Sequence, residues 1–146
     1  MNKPKHFLIL IGILFFIVPK FFSQNKDNWE PVYLLVTGAN TMDGVEACFK
    51  LAKCNNEDVV YIKFNNHNEY SVKLEWFDAV FTQELRWINK DGEGNKKTLI
   101  IPSKMEARGG CESNNTELVV KLKDFIVDKN NFKRFHTSQL TIVSAQ

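Results

Sequence analysis

Alternation of apolar and polar residues is the main pattern along this chain. It is clearest over Tyr70–Trp76, where every second residue is apolar, and it recurs over Val45–Cys54. Asp58–Phe64 is apolar on both faces at its start, as expected of a central strand. Because a period of two residues is typical of a half-buried strand, we predict strands in all three ranges. We expect the hairpin that runs from Val59 to Trp76 to be the most secure element.

The remaining runs are shorter and are separated by Asn-, Asp- and Gly-rich turns. They predict an edge strand at 31–36, strands at 98–102 and 117–125, and a last strand or strand pair at 132–143 with a break near His136. Seven or eight strands at this spacing predict an all-β protein, an antiparallel β-sandwich of the immunoglobulin or fibronectin kind.

Two segments also fit a helix. Apolar residues recur at helical spacing within 74–88, and Asp43 and Glu46 resemble a helix cap in front of 45–54. We favour a strand for 45–54 because the segment is short and its alternation is clean. For 77–88 we favour a strand that leaves the hairpin, bends and pairs again. The alternative is an α+β fold with one helix within 74–88 or 45–54.

Residues 1–23 follow a different pattern from the rest of the chain. Lys3 and Lys5 precede an uncharged apolar run, and Ser23 supplies a small residue before a cut. The run is shorter than the roughly 20 residues that cross a bilayer. We therefore predict a cleaved signal peptide and a periplasmic or secreted protein. Phe21 is bulky for a cleavage site, so an uncleaved leader that anchors the protein in the membrane is the alternative.

The leader also carries the positive charge of the chain. The full sequence has 19 basic and 17 acidic residues, and residues 1–23 contain three lysines and no acid. The rest therefore has 16 basic against 17 acidic residues, a net charge near −1. Nucleic-acid binding needs a basic field, so we expect no nucleic-acid partner. No second apolar run of spanning length follows, so we expect no membrane association after cleavage. We divide the remainder into an N-terminal extension at 24–43 and a sandwich domain at 44–143.

Three cysteines lie beyond the leader, and thiols in exported proteins tend to pair. Three single bridges are compatible with the sequence. We favour Cys54–Cys111, because Cys54 lies where a strand meets a turn and Cys111 follows two adaptable glycines. Cys48, in the middle of a strand, is then a free thiol or an intermolecular link. We expect no metal site, because His67 and His136 lack ligand spacing.

Two sets of residues are candidates for binding. Asn66, His67 and Asn68 form a polar cluster at the expected hairpin tip, although such runs more often serve only as turns. Trp87 lies beside polar residues, and we expect it to be exposed, whereas Trp76 should be buried. An exposed aromatic side chain on a sandwich can stack on a sugar ring or anchor a protein partner.

The candidate for acid–base chemistry is Asp78, which lies among aromatic residues that would raise the pKa of its carboxyl. No second carboxylate stands at a set distance in the sequence. We find no motif for a catalytic nucleophile and none for a cofactor. We therefore expect a protein that is not an enzyme and has no cofactor.

Several stretches resemble one class of known proteins. Lys53-Cys54-Asn55, the strand and turn over 62–68, Val72–Trp76 and Gly110-Cys111 are together similar to small exported bacterial proteins with an immunoglobulin-like sandwich and no settled function. The resemblance covers residues 44–143. It implies the sandwich fold and supports the Cys54–Cys111 pairing, and it carries no catalytic residue.

These observations favour an exported non-enzymatic binding or structural module whose partner is an unknown protein or glycan. One alternative is a small carbohydrate-active or hydrolytic domain built around Asp78. Another is an inhibitor of a secreted or periplasmic enzyme that presents the 65–69 tip.

Overall fold

The structure, a computed structural model, describes residues 28–32 and 41–145. The predicted signal peptide, with its cut after Ser23, lies outside the described residues. So does most of the edge strand predicted at 31–36. The two described pieces before residue 44 both pair with the strand at 45–54, so they belong to a sheet.

Ten strands in two antiparallel sheets make up the described part of the chain. The strands are β1 (Glu30–Pro31), β2 (Thr41–Met42), β3 (Val45–Cys54), β4 (Glu57–Asn66), β5 (Val72–Thr82), β6 (Trp87–Asn89), β7 (Lys97–Ile101), β8 (Glu106–Arg108), β9 (Val119–Lys121) and β10 (Phe132–Ser144). The predicted all-β sandwich is confirmed. The strand count exceeds the seven or eight predicted, and the finer immunoglobulin-like or fibronectin-like topology stays a prediction.

Both helix alternatives are wrong. The segment 45–54 is strand β3 throughout, and 74–88 contains the end of β5, a turn and the start of β6. Asp43 does not cap a helix but forms a two-residue turn with Gly44, and both residues have positive φ angles, 46° and 73°. Such a turn matches the twist of an antiparallel hairpin, so it directs the chain from β2 back along β3. Within the described residues no helix is long and apolar enough to span a membrane.

The first sheet is built on the hairpin of β3 and β4. The two strands pair over their full length, from Val45 opposite Asn66 to Cys54 opposite Glu57. Asn55 and Asn56 make the turn with φ angles of 49° and 66°, a conformation that Asn tolerates better than most residues. β1 and β2 line the outer edge of β3, and β8 and β9 line the outer edge of β4.

The second sheet is built on β5. β10 pairs along one side of β5 over nearly its whole length, while β6 and β7 share the other side. The segment 77–88 was predicted to continue the strand, bend and pair again, and this is confirmed. The bend comes after Thr82, and Trp87 then returns to face Phe81.

The hairpin predicted from Val59 to Trp76 is wrong. β4 belongs to the first sheet and β5 to the second, so residues 67–71 cross between sheets. Each of the two strands has a face that is apolar over most of its length, and the two faces bury their surface by packing against each other across the core.

The core fills the space between the sheets. Trp76 of β5 and Phe64 of β4 are both fully buried, and their ring centroids lie 5.1 Å apart. Phe49 of β3 contacts Phe135 of β10 in the same way, at 6.4 Å. Fully burying one such side chain stabilises the fold by roughly 1.5–3 kcal/mol, so these cross-sheet pairs hold the two sheets together.

Two predictions near the end of the chain need correction. The strand predicted at 117–125 is only β9, with one 3₁₀ turn before it (Thr116–Leu118) and another after it (Leu122–Phe125). β10 is a single strand without a break at His136. Its two irregularities lie on either side, between Phe132 and Arg134 and between Ser138 and Thr141.

Candidate functional site

An aromatic group, here called the Trp87 patch, lies on the face of the second sheet that points away from the core. It consists of Phe81, Trp87 and His136. The Trp87 ring centroid lies 4.7 Å from that of Phe81 and 4.4 Å from that of His136. His136 is buried beneath this contact, whereas Trp87 remains 41% exposed and Trp76 is fully buried. Both tryptophan predictions are confirmed, and whether Trp87 binds anything stays a prediction.

The turn that places Trp87 has no glycine or proline. The Thr82 backbone amide donates to Arg86 O, and the Thr82 hydroxyl accepts a hydrogen bond from the Arg86 amide at 3.2 Å. Leu85 takes a φ of 61°, a conformation that non-glycine residues rarely adopt. These bonds hold the turn in this conformation, and the turn brings Trp87 opposite Phe81.

A bulge at the start of β10 places two cations beside the patch. Phe132 faces Thr82 and Arg134 faces Phe81, so Lys133 is an extra residue in the ladder. The Lys133 Nζ lies 5.4 Å from the Phe81 ring centroid. Arg134 shares the outer face with Phe81 because directly opposed residues of a pair lie on the same face. Both cations are exposed. Bulges of this kind often re-aim side chains at functional sites.

Asn66, predicted as a binding residue, is engaged inside the fold. It is 1% exposed, and its amide nitrogen lies within hydrogen-bond distance of the carbonyl oxygens of Tyr70, Ile101 and Pro102, at 2.9, 3.2 and 3.0 Å. Its amide oxygen accepts from the Asn68 backbone amide. The side chain therefore links the sheet crossover to the end of β7, and its polar atoms already have partners.

His67 and Asn68 belong to the same crossover. His67 is exposed, and its Nε2 lies 3.7 Å from a carboxylate oxygen of Glu46. Asn68 donates from its amide to Asp43 O at 2.8 Å. The Asn68 side chain occupies the space where a Cβ on Gly44 would lie, so glycine is required there. Residues 67–71 join two sheets, so 65–69 is not the hairpin tip that was predicted.

Asp78 lies at the margin of the core and accepts hydrogen bonds at both carboxylate oxygens. Trp76 Nε1 donates to Oδ1 at 3.1 Å, and Lys97 Nζ lies 2.8 Å from Oδ2. Burial raises the pKa of the Asp78 carboxyl above its ordinary value, although Lys97 and Trp76 act to lower it and Glu117 adds to the rise. The direction of this pKa shift agrees with the sequence prediction, and its largest cause is the burial of the carboxyl.

Asp78 forms part of the wall of an open cavity of about 320 Å³. The wall is mostly polar and comes from the turn before β7, the segment around β9 and the start of β7. Its charged members are Asp78, Lys90, Lys96, Lys97, Glu117, Lys121 and Asp124. Lys97 also donates to Glu117 O, so it links Asp78 to the far wall. The second acid near Asp78 was not found from the sequence, because Glu117 is 39 residues further along the chain.

The predicted disulfide between Cys54 and Cys111 is confirmed, with the two Cα atoms 5.2 Å apart. It holds residues 110–117 to the first sheet. The chain leaves the edge of β4 at Gly109 and pairs with it again from Val119. A Cβ on Gly109 would lie 2.1 Å from Leu118 O. Glycine at 109 therefore permits the backbones to close the loop.

Cys48 is the free cysteine, and its side chain is buried. Burial raises the pKa of its thiol, and nearby Glu46 adds to the effect. A thiol in this environment forms little reactive thiolate. Within residues 28–32 and 41–145, no three His, Cys, Asp or Glu side chains come together as a metal site would require.

Comparison with known proteins adds little to this picture. No family model matches the chain, and no curated protein matches it. Among solved structures, the fold is similar to the crystal structure of a DUF1425 family member from Shewanella sp. pv-4, at 10% sequence identity and a TM-score of 0.42. The match covers 70% of this chain and 79% of that one.

Proposed function

We propose that this protein is an exported, non-enzymatic binding module that holds a protein or glycan partner at the Trp87 patch. The observation that carries the proposal is the exposure of Trp87 while Phe81 and His136 hold its ring in place. Leaving apolar ring surface in water forgoes the stabilisation of burial. A ring already fixed by its neighbours loses little conformational entropy when a partner covers it.

Export is part of the proposal and is supported by two features. The leader has the arrangement of a signal peptide. The Cys54–Cys111 disulfide is compatible with an oxidising compartment outside the cytoplasm, where such bonds persist.

The binding prediction is tested with Trp87→Ala. We expect the native protein to retain a ligand from immobilised glycans or from an envelope extract, and Trp87→Ala to lose it, because the ring supplies the apolar contact. Ile100→Ala is the matched control, since Ile100 is a 60% exposed side chain at the opposite end of the same sheet face. The affinity of each purified variant for the retained ligand is measured by calorimetry. Equal affinity of the Trp87→Ala and native proteins would refute the patch as the binding site.

A second candidate function is a hydrolytic activity at Asp78. The specific observation in its favour is the cavity that brings a carboxyl with a raised pKa near Glu117. Such a carboxyl can act as a general acid. Asp78→Asn keeps an acceptor for the Trp76 indole and removes the acid. A glycosidase and esterase substrate panel should show activity that Asp78→Asn abolishes. If the native protein shows no activity on the panel, or if Asp78→Asn keeps the native activity, this candidate is eliminated.

A further inference from the structure

We infer that the ligand of the Trp87 patch is an anionic glycan, one that carries carboxylate or sulfate groups on its sugar rings. This inference rests on the proposed function and specifies the ligand class of the same site. Its basis is the placement of Lys133 and Arg134 beside the aromatic rings.

The bulge at Lys133 changes which side chains of β10 point away from the core. Phe132 and Phe135 both point into the core, although they are three residues apart. In a regular strand, residues three apart lie on opposite faces. Because Lys133 is an extra residue, the alternation of inward and outward side chains shifts by one position. Two consecutive cations, Lys133 and Arg134, therefore share the outer face with Phe81.

The exposed apolar surface beside these cations is small. A stable protein interface covers about 800 Å² on each partner around an apolar centre. On this sheet face the other exposed large apolar residues, Ile100 and Val143, lie on either side of Lys73 at the far end of β5. The exposed apolar surface at this end is the indole ring of Trp87, the half-buried Phe81 ring and Leu85 in the adjoining turn, far less than such an interface needs. It fits the flat C–H face of a sugar ring better than it fits a protein.

The positive charges of Lys133 and Arg134 favour an anionic ligand. An arginine guanidinium binds a carboxylate or sulfate through paired hydrogen bonds, and a lysine adds a compact positive charge. A sugar ring stacked on Trp87 would place its ring substituents at the edge of the indole, toward the strand that bears these cations. The arrangement is complementary to an acidic sugar and leaves a neutral sugar without ionic partners.

The test compares oligogalacturonate with its methyl ester, which has the same rings without the charge, and adds a heparin-derived hexasaccharide as a sulfated probe. Affinities of the purified protein are measured by calorimetry at low and high salt. We expect at least one of the two anionic probes to bind. If oligogalacturonate binds, its affinity should be about tenfold higher than that of its methyl ester. Added salt should weaken this binding. Lys133→Gln/Arg134→Gln should remove the preference, and Trp87→Ala should weaken binding of every probe.

A charge-matched control is Lys53→Gln/Arg108→Gln, which removes two cations from the other sheet and should leave the affinities unchanged. Equal binding of acid and ester, unaffected by the cation variant but weakened by Trp87→Ala, would overturn the ligand class and keep the patch. Failure of both anionic probes to bind at millimolar concentration would also overturn the ligand class. Binding that Trp87→Ala leaves unchanged would overturn the patch as well.

Discussion

Replacing Lys97 with methionine is expected to lower the free energy of unfolding at neutral pH by about 3–5 kcal/mol. Lys97 and Asp78 form an ion pair whose side chains are only 16% and 10% exposed. Methionine keeps the length of the lysine side chain and removes its charge, so the Asp78 carboxylate would remain buried without its cationic partner. The measurement is urea unfolding of the native and variant proteins.

The cost of Lys97→Met should depend on pH. The folded-state pKa of Asp78 is already raised by burial, and Lys97 contributes two of the effects that lower it. Without Lys97 that pKa rises further, so the folded variant takes up a proton more readily than the unfolded chain. The stability lost in Lys97→Met should be greatest above the pKa of Asp78 in the folded variant. The loss should shrink as the pH falls from that pKa toward the ordinary value of the carboxyl.

Two further variants make this prediction specific. Lys96→Met removes the neighbouring cation, which is 50% exposed and pairs with Glu75, and should cost less than about 1 kcal/mol. Lys97→Met/Asp78→Asn removes both charges and should recover most of the lost stability. If Lys96→Met and Lys97→Met are equally destabilising, the pair does not behave as a buried ion pair.

Removing the disulfide is expected to destabilise the protein by about 4 kcal/mol in the chain-entropy description, because Cys54 and Cys111 are 57 residues apart in sequence. For a domain of this size the melting temperature should fall by about 15 °C. The variant is Cys54→Ser/Cys111→Ser, and the measurement is calorimetric melting. Thiol counting on the denatured native protein should give one thiol before reduction and three after it.

Cys48→Ala serves as the control for the disulfide prediction. It removes the buried thiol and leaves the bridge, so its melting temperature should stay much closer to that of the native protein. An unchanged melting temperature in the Cys54→Ser/Cys111→Ser protein would show that the bridge contributes nothing. Three reactive thiols without reductant would show that it does not form.

The strand pattern was predictable where one face of a strand meets the core. Over β3 and β5 the alternation predicted the strand and most of its buried face, and Trp76 lies fully buried as expected, whereas Leu51 of β3 and Tyr70 before β5 are exposed. Around β9 the same pattern was misleading. Leu118, Val120 and Leu122, which alternate within the predicted strand at 117–125, are all buried, but 3₁₀ turns carry two of them into the core. Alternation therefore identified the buried residues and not the backbone that carries them.

The candidate sites were predictable to different degrees. The exposure of Trp87 could be inferred from its polar neighbours, but its contacts with Phe81 and His136 depend on a turn with Leu85 in an unusual conformation. No residue in that turn signals it, because it contains neither Gly nor Pro. Asn66 was expected to be available for a ligand. The structure shows an amide buried among carbonyl groups of distant residues, a role that no local signal reveals.

By itself, the sequence determined that the chain forms strands and which of their faces are apolar, and it favoured the Cys54–Cys111 bridge without excluding the other two pairs. These properties depend on residues close together in the chain or on the chemistry of one side chain. Only the tertiary structure decided that β4 and β5 lie in different sheets, that Lys97 meets Asp78, and that a bulge places Lys133 and Arg134 beside Phe81 of the Trp87 patch. An apolar strand face can pack against many other apolar faces. The choice among them depends on how all the faces are buried together, which no local pattern contains.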